Sequence, residues 1–142
     1  MLYDAVEDPG SLTVDELRAA YEDELRSVVD DLGVTTVAEE SGVDEETLGA
    51  LLAGESVDLT LSEAAAVLAV GDETRTADDV ALEVRDHLLM GMTTAVLDVD
   101  TIASSVDLDF DGKEVQQALE GRMPMTLGEL AALHQYIAER KP

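Results

Sequence analysis

Apolar residues recur every three or four positions along most of the chain, which is the spacing of one face of an α-helix. Thr13, Thr60 and Thr126 are each followed by a glutamate three positions later, a spacing that predicts a capping box at the start of a helix. No segment shows the alternation of apolar and polar residues that is typical of a strand. The sequence therefore predicts an all-α fold of about eight helices. We expect them over residues 13–32, 36–41, 44–54, 61–70, 77–97, 100–106, 112–120 and 127–140.

One predicted helix differs from the others in its charge. The segment HLLMGMTTAVL, from His87 to Leu97, contains no charged residue. A helix that is apolar on nearly all sides is typical of a buried position. We therefore expect the helix over 77–97 to be a central buried helix that both halves of the chain share.

The two halves of the chain repeat the same sequence pattern. Aligned in order, residues 13–70 and 76–136 share 16 identities, at offsets of 63, 65, 67 and 66 positions. The alignment places predicted helix starts on each other, such as Thr13 on Thr76 and Thr60 on Thr126. It predicts an N-terminal extension over 1–12, a first repeat over 13–71 and a second repeat over 72–142, with both repeats in one compact body.

Each repeat places a small helix, a tight turn and a second short helix in a row. Alanine permits a close helix crossing, and glycine accepts the positive φ that the turn needs. The first repeat resembles the helix-turn-helix of the Cro and λ-repressor type, and this resemblance implies a scaffold whose third helix enters the major groove of DNA. The positions that carry the resemblance are Ala38, Gly42, Val43, Leu48, Leu52, Gly54, Leu61 and Leu68.

The second repeat departs from this pattern. Asp107 replaces the turn glycine, and Asp109 and Phe110 are extra residues before the third helix. We therefore expect two diverged helix-turn-helix units, of which the second is the more distorted. The whole chain is also similar to conserved hypothetical proteins of haloarchaea, a resemblance that implies no known activity.

The net charge indicates the setting in which the protein works. Its 142 residues include 33 Asp and Glu but only 8 Lys and Arg, which gives a formal net charge of −25. This composition resembles that of salt-in halophiles, whose carboxylate-rich surfaces stay hydrated in concentrated salt. The self-repulsion of such a surface is harmless there, because the Debye length falls to about 3 Å at 1 M salt.

Several classes of protein are excluded by what the chain lacks. Without cysteine it has no disulfide scaffold, no thiolate metal site and no cysteine nucleophile. No apolar run approaches the roughly 18 residues of a membrane span, and the N-terminus lacks the basic and apolar regions of a signal peptide. We expect a soluble protein of the cytoplasm that makes no contact with membranes.

Motifs that would indicate catalysis or a cofactor are also missing. No nucleophile elbow, P-loop or dinucleotide-binding motif occurs, so we expect neither enzymatic activity nor a cofactor. Asp107, Asp109 and Asp111 match the opening of a calcium-binding loop, but Ala118 stands at the twelfth position, where such a loop needs glutamate. They are therefore only a weak calcium candidate. His134 aligns with a leucine of the first repeat and is expected in the core or at its boundary.

The third helix of each repeat decides how well the chain could bind DNA. In the first repeat this helix carries Asp44, Glu45 and Glu46 and no basic residue, so it would meet phosphates with like charge. Glutamine and arginine are side chains that bind adenine and guanine edges, and the second repeat has both. The candidate nucleic-acid-binding residues are Lys113, Gln116, Gln117 and Arg122.

Protein binding is the preferred alternative, because a fold does not fix a function. An acidic helical body can dock onto a basic or apolar partner, and methionine side chains adapt to such surfaces. The candidates for this contact are Glu45, Glu46, Met123 and Met125. We expect a non-enzymatic regulatory protein that acts through a protein partner, with a DNA-binding transcriptional regulator as the alternative. A homodimer is compatible with either function.

Overall fold

Among the residues that the structure describes, a short 3₁₀ turn, Pro9–Ser11, is followed along the chain by eight α-helices. The computed structural model describes residues 2 and 6–140, and within this part of the chain there is no strand. The prediction of an all-α fold of about eight helices is therefore confirmed. The helices are α1 Val14–Leu32, α2 Val34–Ser41, α3 Glu45–Leu52, α4 Leu61–Val70, α5 Ala77–Ala95, α6 Val99–Ser105, α7 Gly112–Leu119 and α8 Leu127–Arg140.

The capping boxes fix where the long helices begin. The hydroxyl oxygens of Thr13, Thr60 and Thr126 each accept a hydrogen bond, at 3.1 Å, from the backbone N–H three residues later. The glutamate at that third position accepts in return from the backbone N–H of the threonine. Thr76 with Asp79 forms the same arrangement at the start of α5. These local bonds satisfy N–H groups that the first turn leaves free.

The helix starts repeat with the offsets of the sequence identities. Val14 and Ala77, which open α1 and α5, are 63 positions apart. The starts of α2 and α6 are 65 apart, those of α3 and α7 are 67 apart, and those of α4 and α8 are 66 apart. Both halves of the structure therefore have the same order of elements, while the duplication itself and the boundaries 13–71 and 72–142 stay predictions.

The two halves meet where α4 and α8 begin. Thr60 and Thr126 form an isolated antiparallel bridge, in which the Leu61 N–H donates to the Met125 carbonyl at 2.7 Å and the Leu127 N–H donates to the Leu59 carbonyl at 2.9 Å. The offset of 66 relates Leu61 to Leu127 and Leu59 to Met125, so the two bonds are equivalent. This equivalence is what an approximate two-fold axis at this point requires. The long helices also cross between halves, because α1 packs on α8 and α5 packs on α4.

The expectation that α5 is a central buried helix is wrong for one of its sides. The helix does contact α4, α7 and α8, but Leu82, Leu89 and Met90 are 53%, 38% and 70% exposed. The missing charge in this segment therefore does not reflect burial on all sides. The more deeply buried helix is α8, which packs against α1, α4, α5 and the Pro9–Ser11 turn.

The predicted N-terminal extension, 1–12, packs on α8 as far as it is described. Leu2 is fully buried, and the Gln135 side-chain amide donates to the Gly10 carbonyl at 3.3 Å. A Cβ added at Gly10 would lie 2.8 Å from the backbone nitrogen of Glu139, so glycine permits this close approach. Residues 1, 3–5 and 141–142 lie outside the described residues.

Candidate functional site

One side of α7 carries the residues predicted to bind nucleic acid. Lys113 and Gln116 are exposed and Gln117 is half-buried; their i, i+3 and i+4 spacing places them on the same side of the helix. The opposite side packs into the core through Val115, Ala118 and Leu119. Arg122 is exposed just beyond the helix end, and its backbone N–H donates to the Gln117 carbonyl at 2.8 Å. The structure therefore brings these four candidates into one region, which we call the α7 surface.

Carboxylates reduce the positive charge of the α7 surface. The Arg122 guanidinium lies 3.6 Å from a carboxylate oxygen of Glu120, seven residues after Lys113 and thus on the same side of α7. An exposed ion pair of this kind contributes at most about 1 kcal/mol to stability, but it does place a negative charge where DNA would need positive charge. The α7 surface is therefore polar rather than strongly basic.

Arg85 on α5 is a functional candidate that the sequence analysis missed. Its guanidinium lies so close to Gly121 that a Cβ added at the glycine would be 2.9 Å from Arg85 Cζ. Gly121 also has a φ of +79°, which a side chain rarely adopts. No carboxylate of the described residues is paired with Arg85, although the other five arginines each have one nearby. An arginine without a carboxylate is unusual in a chain with 33 acidic residues.

The repeat alignment contains the signal that could have found Arg85. At the offset of 63 it corresponds to Glu22, a buried carboxylate that accepts from the Val57 N–H and the Ser56 hydroxyl at 3.2 Å each. In the first half this position therefore joins α1 to the segment before α4. In the second half the same position is Arg85, which carries the opposite charge. Its guanidinium lies against Gly121 instead.

Arg85 and Arg122 line an open groove of about 400 Å³ between the start of α4 and the segment that joins α7 to α8. Met123 and Pro124 supply its apolar wall. The carboxylate of Glu63, which also lies there, accepts a bond from the Thr60 N–H at 3.0 Å. We call this cavity the Arg85 groove. It combines guanidinium groups with apolar side chains, a combination that suits a carboxylate carried next to an apolar group.

The residues predicted to bind protein are placed in different environments. Glu45 and Glu46 are exposed in the first turn of α3, and Met123 is half-buried in the Arg85 groove. Met125 is only 3% exposed, although it also lines the Arg85 groove, so its part in docking stays a prediction. Its carbonyl pairs with Leu61, which holds this residue in the core at the junction of the two halves.

The structure does not support the calcium candidate Asp107, Asp109 and Asp111. Asp111 is the N-cap of α7, and its side chain accepts from the Glu114 N–H at 2.8 Å. Within residues 2 and 6–140 no three His, Cys, Asp or Glu side chains are grouped to hold a metal ion. Asp111, which precedes Gly112, therefore caps the start of α7.

Both histidines belong to an array that connects the long helices. His134 on α8 is 3% exposed, which confirms its predicted core position. The Tyr21 hydroxyl on α1 lies 2.5 Å from His134 Nδ1, and the His87 ring on α5 meets the His134 ring edge-on at 5.6 Å. Burial raises the pKa of Tyr21 above its ordinary value, so this hydroxyl stays neutral. The array is a packing feature that joins α1, α5 and α8.

Comparisons with known proteins place the chain in a family without assigning an activity. Among the described helices none is long and apolar enough to span a membrane. No curated protein and no solved structure matches the chain. A family model described as a family of unknown function, DUF5791, matches residues 17–140, a range that includes nearly all of α1 and every later helix through α8. The chain therefore belongs to the DUF5791 family.

Proposed function

We propose that this protein is a non-enzymatic regulatory binding protein of the cytoplasm, built on two diverged helix-turn-helix units, and that it acts by binding a segment of a protein partner in the Arg85 groove. The observation that carries the proposal is Arg85 itself. Its guanidinium lines an open groove next to Met123 and Pro124 and has no carboxylate partner among the described residues.

The chemistry of the groove defines the ligand. A guanidinium binds a carboxylate through two parallel hydrogen bonds, and methionine adapts its shape to apolar side chains. The ligand is therefore a peptide segment with an acidic side chain beside an apolar one. The net charge of −25 would repel such a segment at low salt, but this long-range repulsion is screened within about 3 Å at 1 M salt.

A DNA-binding function is the second candidate, and the α7 surface favours it. Gln116 and Gln117 lie on its exposed side with Lys113, and glutamine can form two hydrogen bonds with adenine. The corresponding helix of the first half, α3, carries Glu45 and Glu46 instead. Because a DNA-binding protein needs cations along the phosphate backbone, we rank protein binding first.

Quantitative affinity capture tests the protein partner. Tagged full-length protein is crosslinked to its neighbours in cells that express it, and the recovered proteins are quantified by mass spectrometry. Arg85→Glu should deplete the specific partner about tenfold or more, because the change places two carboxylates face to face. Arg75→Glu is the matched control, since it makes the same change of charge on an arginine that already pairs with Glu83 outside the groove. Equal recovery with wild type and Arg85→Glu would contradict the proposal.

Chromosome occupancy separates the DNA function from the protein function. Sequencing of the DNA that is crosslinked to the tagged protein should give a flat profile if the Arg85 groove binds protein alone. Discrete peaks that disappear in a Gln116→Ala, Gln117→Ala variant would instead establish DNA binding through the α7 surface. Peaks that survive this variant but disappear with Arg85→Glu would show recruitment to DNA through the partner.

A further inference from the structure

The outer side of α5 presents an apolar surface that no part of the described chain covers. Leu82, Leu89 and Met90 are 53%, 38% and 70% exposed, and Val96 at the helix end is 89% exposed. The spacing of seven and eight residues from Leu82 to Leu89 and Met90 places these side chains on the same side of the helix. We call these four residues the α5 face. Only two other large apolar residues of the described chain are comparably exposed, Leu32 and Leu52.

The corresponding side of α1 shows that the fold does not require an apolar surface here. At the offset of 63, Leu89 and Met90 correspond to Arg26 and Ser27. The Arg26 guanidinium donates to the Leu51 carbonyl at 2.7 Å and so fastens the last turn of α3 to α1. The second half replaces this internal bond by an exposed leucine, and Leu89 joins the other exposed apolar residues of the α5 face in one contiguous patch, the feature that marks contact sites.

The α5 face is also exceptional in its charge. The run from His87 to Leu97 is the longest in the chain without Asp, Glu, Lys or Arg. Another long run of this kind, residues 130–138, lies on α8, where most of the side chains are buried. A molecule with a net charge of −25 repels a second copy wherever carboxylates meet, and on the α5 face the only carboxylate between Leu82 and Val96 on the same side is that of Asp86.

We propose that the α5 face binds a second copy of this chain, with the two α5 helices antiparallel about a two-fold axis between Leu89 and Met90. A basic partner would be selected by carboxylates, which this end of α5 lacks, whereas a two-fold contact needs only a patch that is complementary to itself. The inference rests on a different surface and different residues from the proposed function. Arg85 lies at the edge of the α5 face, four residues before Leu89 but well around the helix from Met90, so the Arg85 groove opens beside the contact.

The antiparallel register keeps the carboxylates of the two α5 helices apart from each other. With the axis between residues 89 and 90, Leu82 faces the end of the partner helix near Val96, and Asp86 faces Thr93. Asp78 and Asp79 lie in the first turn of α5 and so project past the end of the opposite helix, which is at Ala95. No carboxylate of one α5 is therefore opposite a carboxylate of the other.

The size of the α5 face defines the strength of the dimer. A single helix side of this kind offers an apolar area on the order of a few hundred Å², less than the roughly 800 Å² per partner of a stable interface. The dimer is therefore weak and reversible. Its dissociation constant should fall as salt rises, because salt screens the repulsion between the two acidic molecules and leaves the apolar contact intact.

Sedimentation equilibrium of the full-length protein measures this dimer directly. The protein is studied in molar KCl at concentrations up to about 1 mM, where half of the chains are dimeric even if the dissociation constant is millimolar. Leu89→Glu with Met90→Glu should leave only the monomer. Leu52→Glu is the matched control, since Leu52 is exposed to the same 38% as Leu89, and it should leave the dimer unchanged. A monomeric wild type under these conditions would overturn the inference.

A crosslinking experiment tests the register independently of the acidic variants. The chain has no cysteine, so Met90→Cys introduces one thiol, and two such thiols meet at the proposed axis. Mild oxidation should convert Met90→Cys into a disulfide-linked dimer and leave Leu52→Cys monomeric. A dimer that survives Leu89→Glu with Met90→Glu, or a disulfide-linked dimer of the Leu52→Cys variant instead, would place the contact elsewhere and refute the α5 face. Affinity capture of the protein partner should be unchanged in the Leu89→Glu, Met90→Glu variant. That result would show that the α5 face and the Arg85 groove act independently.

Discussion

At the scale of single residues, the polar groups in the core have specific tasks. The Tyr21 hydroxyl and His134 Nδ1 are 2.5 Å apart between α1 and α8, and both side chains are almost completely buried. A buried polar atom that loses its hydrogen bond still bears the free-energy cost of its removal from water. The contact therefore matters less for the energy of the bond itself than for the penalty that follows when one member is removed.

Tyr21→Phe should therefore lower the free energy of unfolding by about 1–3 kcal/mol, because His134 Nδ1 then loses this bond in the core. Chemical denaturation monitored by circular dichroism measures the change. Tyr136→Phe is the control, since this tyrosine is also buried, at 8% exposure, but its hydroxyl makes no hydrogen bond to another described residue and is not a buried unpaired group; it should change stability by no more than about 0.5 kcal/mol. Equal losses in both variants would mean that the Tyr21 hydroxyl makes no special contribution.

Val96 is a residue whose backbone conformation does not suit its side chain. It ends α5 with a φ of +56° and is the only non-glycine residue of the described chain with a positive φ. The first half has Gly33 at the corresponding place, with a φ of +89°. A β-branched residue in this region costs on the order of 1–3 kcal/mol, and an exposed valine recovers none of it by packing in the monomer.

Val96→Gly should raise the free energy of unfolding of the monomer by about 0.5–1 kcal/mol, the relief of strain less the greater entropy of glycine in the unfolded chain. Thermal unfolding in dilute solution measures this gain. The same variant should weaken the α5 dimer, since it removes an apolar side chain from its edge. A loss of monomer stability would show that the valine side chain makes contacts within its own chain that outweigh the strain.

At the scale of helices, the helix boundaries could be predicted from the sequence because they depend on local chemistry. A threonine and a glutamate three residues apart satisfy each other's backbone at Thr13, Thr60 and Thr126 wherever the helix packs. The exposure of a helix side depends instead on which other helix covers it. For this reason the uncharged run in α5 wrongly predicted burial on all sides of that helix.

The candidate site was predictable only in part for the same reason. Lys113, Gln116 and Gln117 could be placed on one side of α7 from their spacing alone. Arg85 joins Arg122 in the groove only because α5 packs beside the segment after α7, and no local pattern contains that information. The alignment of Arg85 with Glu22 shows a reversed charge at one position of the fold, which is a signal that the sequence does contain.

The contact of the Pro9–Ser11 turn with α8 is tested by Gly10→Ala. The added Cβ would meet backbone atoms of Glu139 at 2.8 and 2.9 Å, and backbone cannot move aside as a flexible side chain can. We expect a loss of about 1–3 kcal/mol of unfolding free energy as the turn shifts from α8. Gly49→Ala is the control, because nothing lies within 4 Å of that position in α3 and alanine favours a helix by about 1 kcal/mol. A stabilised Gly10→Ala variant would contradict the close packing.

At the scale of the whole molecule, the net charge destabilises the folded state and the apolar core stabilises it. A net charge of −25 favours expanded states through self-repulsion. The six described ion pairs each involve a side chain that is at least a quarter exposed, so they contribute little against that repulsion. Stability therefore rests on the apolar contacts that join the two halves around α8, and salt should determine how much of it survives.

The free energy of unfolding should accordingly rise steeply between roughly 0.1 M and 1 M KCl, the range over which the Debye length falls from about 10 Å to about 3 Å. Beyond that range, further salt can act only by strengthening apolar burial. The free energy of unfolding should therefore rise more slowly with salt concentration there. Urea unfolding at fixed protein concentration, below that of dimer formation, measures both regimes. Sucrose is the control, since it favours compact states without screening charge. Two results would show that hydration rather than self-repulsion determines the salt dependence of this fold. One is a free energy of unfolding that rises linearly from the lowest salt concentration upward; the other is an equal rise in sucrose.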